Sequence, residues 1–389
     1  MYVNVVDSLE KIPANDWNAL TGENNPFLRH EFLLALEFTG SVSPKTGWQP
    51  QHLVAHEDGP LQGRLLGATP MYLKNHSYGE YVFDWAWANA YAQAGEKYYP
   101  KLVVCVPFTP VGGPRLLVAS GTDSARIKNE LIQGATRHMQ GTGASSLHWL
   151  FVTDEDARLL ETEGHLLRTG FQFHWSNPGY RDFDDFLSTF TAEKRKKIKR
   201  ERRHVQEAGI VMEVQTGASI TSTHWDIFYE FYVSTIRAHD AYAYLTRGFF
   251  HRLGETMRDQ VVLVLARKER EYVAGALNLR GADSLYGRYW GCRGEFHSLH
   301  FETCYYTAIE YSITQGLRGF EAGAQGEHKL ARGFTPVVTH SAHRLTHPKF
   351  SRAVADYLAR ERLDVDLYVN ELNEHVPFKN QTVTTDEHR

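Results

Sequence analysis

FEAGAQGEHKLARGF, at residues 320–334, joins the end of an apolar strand to a turn of small residues and a short charged segment. Glu321 lies at the predicted strand end. The charged residues after the turn are Glu327, His328, Lys329 and Arg332. A strand end followed by such a turn brings backbone N–H groups and charged side chains together, where they can bind a polar ligand. The pattern is also typical of an ordinary strand–turn–helix connection with a solvated charged face.

Two halves of the chain show the same order of predicted elements. The first half predicts a helix near 30–38, strands at 51–57, 65–73 and 81–87, a long helix near 123–140, a strand at 146–152, a short helix ending at Gly170-Phe171 and a strand at 172–175. The second half predicts a helix at 224–238, strands at 261–268, 272–279 and 284–291, a long helix at 299–315, a strand at 317–323, a short helix ending at Gly333-Phe334 and a strand at 336–345. This order predicts an α/β fold with mixed sheets and an internal repeat. We place the domain boundary near residue 179, giving domains 1–179 and 180–389.

Composition indicates a globular protein large enough for two domains, with 389 residues of which 42% are hydrophobic. A formal charge of −4 gives no overall attraction to nucleic acid or anionic membranes, so we expect no DNA partner. The three cysteines lack CxxC spacing, which favours a reducing compartment. Neither a signal peptide nor an apolar stretch of about 20 residues is evident. We therefore expect a cytoplasmic protein without a membrane span.

The segment TAEKRKKIKRERRHVQEAG, residues 191–209, is the most basic stretch of the chain. Thr191 as N-cap and Gly209 as terminator predict a helix over 191–208. Its apolar stripe is thin, so most of the helix is expected to face water. The basic face, including Lys196, Lys199 and Arg203, is either an electrostatic binding surface for a polyanion or a plain solvated surface.

Besides residues 320–334, five blocks of the sequence form a recognisable series: NPFLRHEFLLALE (25–37), PMYLKNHSYGEYVFDWAWANAY (70–91), YYPKLVVCVPFTPVGGPRLL (98–117), RYWGC (288–292) and LHFETCYYTAIEY (299–311). In this order they resemble the FemAB-like branch of the GNAT acyltransferase superfamily, described as N-acyltransferases or peptidoglycan biosynthesis/recognition proteins. The resemblance implies two tandem GNAT-like domains, as in Fem transferases. The basic helix resembles the one that opens the second domain of those enzymes, whose donors are aminoacyl-tRNAs.

The resemblance implies transfer of an acyl group from an activated donor to a small-molecule or peptide amine by direct attack. Such a reaction needs a base for the amine and stabilisation of the oxyanion. We take Glu321 as the base or amine-orienting carboxylate, Tyr286 and Tyr289 as candidate proton donors, and Lys329 as a cation for the donor or oxyanion. The tyrosines could equally be packed on a sheet face. Candidate donor contacts are Gln325, Glu327, His328, Arg332, Gly333, Phe334, Lys196, Lys199 and Arg203.

The donor stays open between acyl-CoA and aminoacyl-tRNA. Most GNAT enzymes bind CoA with an Arg/Gln-x-x-Gly-x-Gly/Ala loop, whereas the stretch here is GCRGEFHSLHFE (291–302). This departure weakens the case for acyl-CoA as co-substrate without removing it, because backbone N–H groups can bind phosphate unaided. We expect no covalently bound cofactor.

Two further clusters could suggest different chemistry. On a strand, His340 and His343 would lie on opposite faces, which favours scattered histidines over a metal site. Cys304 with His300 could mimic a nucleophile pair, although a packed helix cysteine is more common. The alternative to an enzyme is a non-catalytic peptidoglycan- or peptide-binding module that uses the same cleft.

Overall fold

The computed structural model describes residues 1–238, 242–324 and 326–379. The first half contains β1 (Tyr2–Val6), α1 (Ala14–Thr21), α2 (His30–Phe38), β2 (Trp48–Pro50), β3 (His52–His56), β4 (Leu65–Thr69), β5 (Met71–Lys74), α3 (Trp85–Gln93), β6 (Lys101–Val104), β7 (Leu117–Val118), α4 (Ser124–Thr142), β8 (Ser146–Val152), α5 (Asp154–Thr162) and β9 (Leu166–Ser176). The second half contains α6 (Phe183–Ser188), α7 (Ala192–Glu207), β10 (Ile210–Thr216), α8 (Ser222–Ala238), α9 (Arg247–Thr256), β11 (Val261–Lys268), β12 (Glu271–Arg280), β13 (Ser284–Cys292), α10 (Leu299–Phe301), α11 (Thr307–Thr314), β14 (Gly319–Glu321), β15 (Thr335–Leu345) and α12 (Pro348–Glu374). Within these residues, every helix is too short or too polar to cross a lipid bilayer.

One mixed sheet of eleven strands runs through both halves, in the order β10-β11-β12-β13-β14-β9-β15-β8-β6-β5-β2. A smaller sheet has the order β1-β3-β4-β7. Helices cover the sheets and bury apolar side chains against them, which gives the mixed α/β fold that the sequence predicts.

The two halves exchange a strand. β15, from the second half, pairs antiparallel with β9 over most of its length and with β8 from His340 onward. β9 in turn pairs with β14 through three residues ending at His174 and Glu321. The sheet therefore continues across the boundary predicted near residue 179, and the division into domains at that point stays a prediction.

Each half contains one pair of parallel neighbouring strands. β6 runs parallel to β8, and β13 runs parallel to β14. In each pair one strand ends while the other continues, so the strands separate and open a gap in the sheet. The doubled order of elements thus has a structural counterpart, and it sets the position of the site in the second half.

Three predictions of local structure are wrong. The stretch 65–73 is not one strand, because β4 ends at Thr69 and β5, in the larger sheet, begins at Met71. The aromatic stretch 81–87 is not a strand, because α3 begins at Trp85 and Tyr81 has a φ of +62°. Alternating alanines from residue 86 favour the helix, and the positive φ ends any extended run. Gly170-Phe171 lies inside β9 instead of ending a helix. This long strand forms because β15 pairs with it, and local sequence gives no sign of that distant partner.

Candidate active site

Glu321 is the last residue of β14 and lies opposite Tyr286 of β13 and His174 of β9. Burial raises the pKa of its carboxyl group to about 7, against the lowering effect of the nearby Arg288 guanidinium. Burial, with the charges of Arg288 and Lys329, also lowers the pKa of His174 to about 4. A carboxyl group with a pKa near neutrality can accept and release a proton at physiological pH.

Arg288 is the residue of this centre that our sequence analysis missed. The pairing of β12 with β13 shifts register between Leu277 and Asn278, and Arg288 is the extra residue of this bulge. Its side chain is 2% exposed and lies 3.6 Å (Nη2 to Oε2) from the Glu321 carboxylate. Within the described residues, its Nε and Nη2 atoms donate no hydrogen bond. Buried N–H groups left without acceptors are available to an anionic ligand.

Lys329 lies in a short 3-10 helix, Glu327–Arg332, and is almost fully buried. Its Nζ donates a hydrogen bond of 2.8 Å to the carbonyl of Gly323, and the described residues place no carboxylate within 4.0 Å of it. Burial, reinforced by the positive charge of Arg288, lowers its pKa to about 8. Glu321, Arg288 and Lys329 thus form a charged centre in which both cations are buried and the side chain of Glu321 is 18% exposed. The catalytic roles that the sequence predicts for Glu321 and Lys329 stay predictions.

Arg332 joins the charged segment to the basic helix. Its Nη2 donates to both carboxylate oxygens of Glu201 on α7, at 2.9 and 3.0 Å. Its guanidinium also lies 3.3 Å from the centre of the Phe301 ring. Tyr306 donates a further hydrogen bond to Glu201. The structure therefore places Arg332 in a buried ion pair that fixes the segment, and its predicted contact with a donor stays a prediction.

Gly333 and Phe334 have structural roles at the end of this segment. Gly333 has a φ of +87°, and a Cβ there would lie 2.8 Å from ring atoms of both Phe186 and Phe190. Phe334 is fully buried. Only glycine fits at residue 333, so the Gly-Phe pair fixes the end of the segment that contains Lys329 and Arg332. Its predicted contact with a donor stays a prediction.

A cleft of about 110 Å³ opens where β13 and β14 separate. Arg288 and Tyr289 line one side, and Cys304 and Tyr305 line the other. The helix on that side contains a π-helical turn at Glu302–Tyr306, a local feature that is frequent at functional sites. Burial raises the pKa of the Cys304 thiol, which keeps it protonated and argues against a nucleophilic role.

The remaining residues predicted on the charged segment lie toward the surface. His328 is exposed, and its Nε2 hydrogen-bonds the Tyr305 hydroxyl at 2.8 Å. Glu327 is also exposed and accepts a 2.5 Å hydrogen bond from Tyr368 of α12. Gln325 lies outside the described residues. Their contact with a donor stays a prediction.

Tyr286 and Tyr289, the predicted proton donors, connect β13 to the first half of the chain. The hydroxyl of Tyr286 donates to the carbonyl of Asn24 at 3.0 Å, and that of Tyr289 donates to the carbonyl of Phe108 at 3.1 Å. Burial raises the pKa of both phenols. Neither hydroxyl is free in the described structure, which weakens the case for either as a proton donor.

A second groove, of about 360 Å³, lies over β9 and β15. Its walls are the loop Tyr81–Phe83, the segment that follows Glu321, and α12. An ion pair of Arg168 with Glu361, at 2.7 Å, closes one side. Because the loop after Glu321 forms part of this wall, the groove and the charged centre are neighbours.

The corresponding gap in the first half, between β6 and β8, is filled by a side chain of the same half. Arg115 is fully buried there and donates to the carbonyls of Leu150, at 3.0 Å, and Val111, at 2.6 Å. Its backbone N–H donates to the Asp156 carboxylate at 2.8 Å. Of the two gaps in the described part of the chain, the gap between β13 and β14 is thus the one that is open to a ligand.

The basic helix α7 forms as predicted, with Ile198 and Val205 buried. Lys196, Lys199 and Arg203 are exposed. Lys199 pairs with Asp184 at 3.0 Å and Arg203 lies 3.7 Å from Glu207, both at the surface. Such exposed pairs contribute little to stability and leave the positive charges accessible.

The histidines that could suggest a metal site are separated. Among the described residues, His340 pairs with Asp154 and the buried His343 bonds His148, and no cluster of three metal-ligating side chains occurs.

Comparison with known proteins agrees with this fold. The chain belongs to the FemAB-like family, described as peptidoglycan biosynthesis/recognition, whose model matches residues 8–380. The crystal structure of FemX is similar, with a TM-score of 0.54 and 10% identity over 91% of this chain and 100% of that one. L-PGS from Bacillus licheniformis gives a TM-score of 0.52 and 10% identity over 92% and 99% of the two chains. The C-terminal domain of a putative lysylphosphatidylglycerol synthetase from Agrobacterium fabrum gives a TM-score of 0.53 and 9% identity, over 90% of this chain and 95% of that one.

At these identities, the structural likeness establishes the fold alone. A search of curated proteins gives no match to the sequence. The resemblance stated from the sequence blocks is confirmed at the level of the family, and so is the fold class.

Proposed function

We propose that the protein is an N-acyltransferase that moves an acyl group from an activated donor to an acceptor amine by direct attack. The observation that carries this proposal is the partly buried Glu321 carboxyl group, with a pKa of about 7, beside the buried cations Arg288 and Lys329 at the gap between β13 and β14. The family's link with peptidoglycan and the synthetase among the similar structures support a transferase.

Each group has a distinct task in this reaction. Glu321 takes a proton from the amine as its nitrogen attacks the acyl carbon, which forms the C–N bond and a tetrahedral oxyanion. Lys329 and the Arg288 N–H groups that donate no hydrogen bond supply positive charge for the oxyanion or for an anionic part of the donor. Collapse of the intermediate breaks the bond to the leaving group and releases the amide. No covalent acyl-enzyme is required.

The donor is acyl-CoA or aminoacyl-tRNA, and the acceptor is a small-molecule or peptide amine. The exposed basic face of α7 favours a polyanionic donor, and Arg332–Glu201 links that helix to the charged segment. The family description supports an acceptor amine in a peptidoglycan precursor.

Ligand binding and transfer can be tested together. Thermal shift against CoA, acetyl-CoA, uncharged tRNA and alanyl-tRNA should reveal the donor, since a ligand at 100 times its Kd stabilises by about 2.7 kcal/mol. Transfer to free lysine and to a lysine-containing stem peptide should then yield a new amide. Binding of a stem peptide without transfer from either donor would favour the non-catalytic binding module instead.

Charge reversal on α7 tests whether the basic face of this helix binds a polyanionic donor. Replacing Lys196, Lys199 and Arg203 by Glu should weaken tRNA binding by at least about tenfold, and wild-type affinity should fall steeply with salt. The helix should persist, because Glu forms helices as readily as Lys or Arg. The matched control reverses three exposed cations elsewhere, Lys45, Arg126 and Arg158. Equal affinity in both triple variants would show that α7 is plain solvated surface.

The pH dependence of kcat/KM should be bell-shaped, with limbs near the pKa values of about 7 and about 8 given by Glu321 and Lys329. The value of kcat/KM rises with pH as the Glu321 carboxyl group loses its proton, and it falls at higher pH as the Lys329 ammonium group loses a proton. Lys329→Arg should abolish the alkaline limb, because a guanidinium stays protonated. An alkaline limb that is identical in the variant would contradict the role of Lys329.

A further inference from the structure

We propose that His174 accepts a hydrogen bond from the attacking amine in the acyl transfer proposed above, so that Glu321 and His174 together hold a primary amine. This role rests on the proposed function and defines the class of its acceptor. Three observations carry it: the position of His174 opposite Glu321, the space between the two side chains, and the hydrogen bonds that fix which ring nitrogen of His174 carries the proton.

His174 lies directly opposite Glu321 where β9 pairs antiparallel with β14. Side chains of directly opposite residues project from the same face of a sheet, with Cβ atoms about 4.5–5.5 Å apart. The adjacent residues on the two strands, Phe173 and Phe320, are buried in one apolar cluster. Because neighbours along a strand point to opposite faces, Glu321 and His174 share the face away from that cluster.

The side chains of Glu321 and His174 leave space between them. Among the described residues, neither ring nitrogen of His174 lies within 4.0 Å of a Glu321 carboxylate oxygen, and the carboxylate lies 3.6 Å from Arg288 instead. An amine nitrogen that hydrogen-bonds to both groups needs about 2.7–3.2 Å to each. Both side chains are only partly buried, so such a nitrogen can reach them.

The hydrogen bonds around His174 fix its tautomer. Nε2 of Gln172 donates to the carbonyl of Pro110 at 3.0 Å, so the amide turns its Oε1 toward His174. This oxygen can only accept, and it lies 3.1 Å from Nε2 of His174, which therefore carries the proton. Burial lowers the pKa of the ring to about 4, so it is neutral near pH 7. Nδ1 thus has an unprotonated lone pair, and it makes no hydrogen bond to the described residues.

The first half of the chain sets this tautomer, because Pro110 belongs to the loop between β6 and β7. The loop is held on both sides of Pro110's neighbours: Arg115 donates to the carbonyl of Val111 at 2.6 Å, and Asn25 donates to the carbonyl of Gly112 at 3.0 Å. A fixed carbonyl at Pro110 keeps the Gln172 amide in one orientation. The two halves therefore both contribute to the position of one hydrogen-bond acceptor.

An acceptor can approach this pair through the groove over β9 and β15. Gln172, two residues before His174, lines the groove, and the loop that follows Glu321 forms part of its wall. Its volume of about 360 Å³ lies in the range of small-molecule sites. An acceptor in the groove can thus turn its amine end toward Glu321 and His174.

The two N–H groups of a primary amine have different partners in the reaction. One donates to Nδ1 of His174, which turns the nitrogen lone pair toward the acyl carbon. As that pair forms the C–N bond, Glu321 takes the other proton. Collapse of the oxyanion breaks the bond to the leaving group, which departs with the bonding pair and receives the Glu321 proton through water. A secondary amine has one N–H and cannot supply both partners, so the acceptor class is a primary amine.

The test replaces His174 by Asn and by Gln, with a donor and a primary amine that wild type accepts. Asn places a carbonyl oxygen near the position of Nδ1, whereas Gln places its amide near the position of Nε2. We expect kcat to fall at least about tenfold in His174→Gln and less than about threefold in His174→Asn. The loss is in kcat because the amine becomes positively charged only as it attacks. KM for the donor and thermal stability should agree between the two variants.

Two results with folded variants would overturn the role of His174 while leaving the proposed function intact. Equal losses of kcat in both would indicate a packing role, and unchanged kcat in both would remove His174 from the site. A third measurement needs wild type alone: the N-methyl derivative of the accepted amine should react at least about tenfold more slowly, and equal rates would contradict the proposal. Wild-type protein that acylates no amine from any donor would instead contradict the proposed function, and the role of His174 would fall with it.

Discussion

Glu321→Gln is expected to lower turnover by at least about tenfold, and up to about 10⁴-fold, with the fold intact. The substitution keeps the shape of the side chain and removes its ability to accept a proton. Below pH 7 the wild-type carboxyl group is itself largely protonated, because its pKa is about 7. The free energies of unfolding at pH 6 should therefore agree within about 1 kcal/mol.

The measurement is kcat and KM for amide formation by both proteins, with urea unfolding at pH 6 as the stability control. Glu269→Gln, an exposed carboxylate in the turn between β11 and β12, is the matched variant and should keep wild-type kinetics. Unchanged turnover in Glu321→Gln would remove this residue from the mechanism.

Lys101→Met is expected to destabilise the protein by about 3–5 kcal/mol, because it leaves the buried Asp84 carboxylate without its cation and leaves Glu80 paired with Lys74 alone. The Lys101 ammonium pairs with Glu80 at 2.8 Å and with Asp84, and it donates to Ser77 at 2.8 Å. Burial alone would raise the pKa of Asp84, but Lys101 outweighs it and lowers the pKa to about 2. Urea unfolding should show the loss, whereas the exposed Lys97→Met should change stability by less than about 0.5 kcal/mol.

The pH dependence of this loss has a definite sign. In wild type, the Asp84 carboxylate stabilises the fold above its unfolded pKa of about 3.9, and this contribution disappears as the pH falls toward 2. Without Lys101, burial raises the pKa of Asp84 above the unfolded value, so stability falls as the pH rises. The difference in the free energy of unfolding between variant and wild type should therefore widen as the pH rises above about 3.9. Adding Glu80→Gln and Asp84→Asn should recover much of the loss, and no recovery would contradict the buried-charge explanation.

Local sequence predicts the features that depend on neighbours in the chain. The strand end at Glu321 and the basic helix α7 both follow from short patterns, and the structure contains both of them. Lys329 was recognised because it lies in the same short segment. The family resemblance also rests on such local blocks, which explains why it gave the fold class.

The features that sequence did not predict depend on distant pairing. Arg288 turns into the site because β12 and β13 shift register at a bulge, although an arginine within the aromatic stretch RYWGC was a visible signal. β15 lies between β8 and β9, so that His343 bonds His148 across 195 residues of sequence. The positive φ of Tyr81, which ends the strand predicted at 81–87, lies between Glu80 and Asp84, and both of these residues pair with the distant Lys101.

Mass spectrometry of the protein and of its products, after mixing with donor, tests whether transfer occurs by direct attack. Wild type should form the new amide only when donor and acceptor amine are both present, and donor alone should leave the protein mass unchanged. Glu321→Gln should form the amide at least about tenfold more slowly. An acyl-protein that accumulates without acceptor, or an amide formed equally fast by Glu321→Gln, would contradict direct attack with Glu321 as the base.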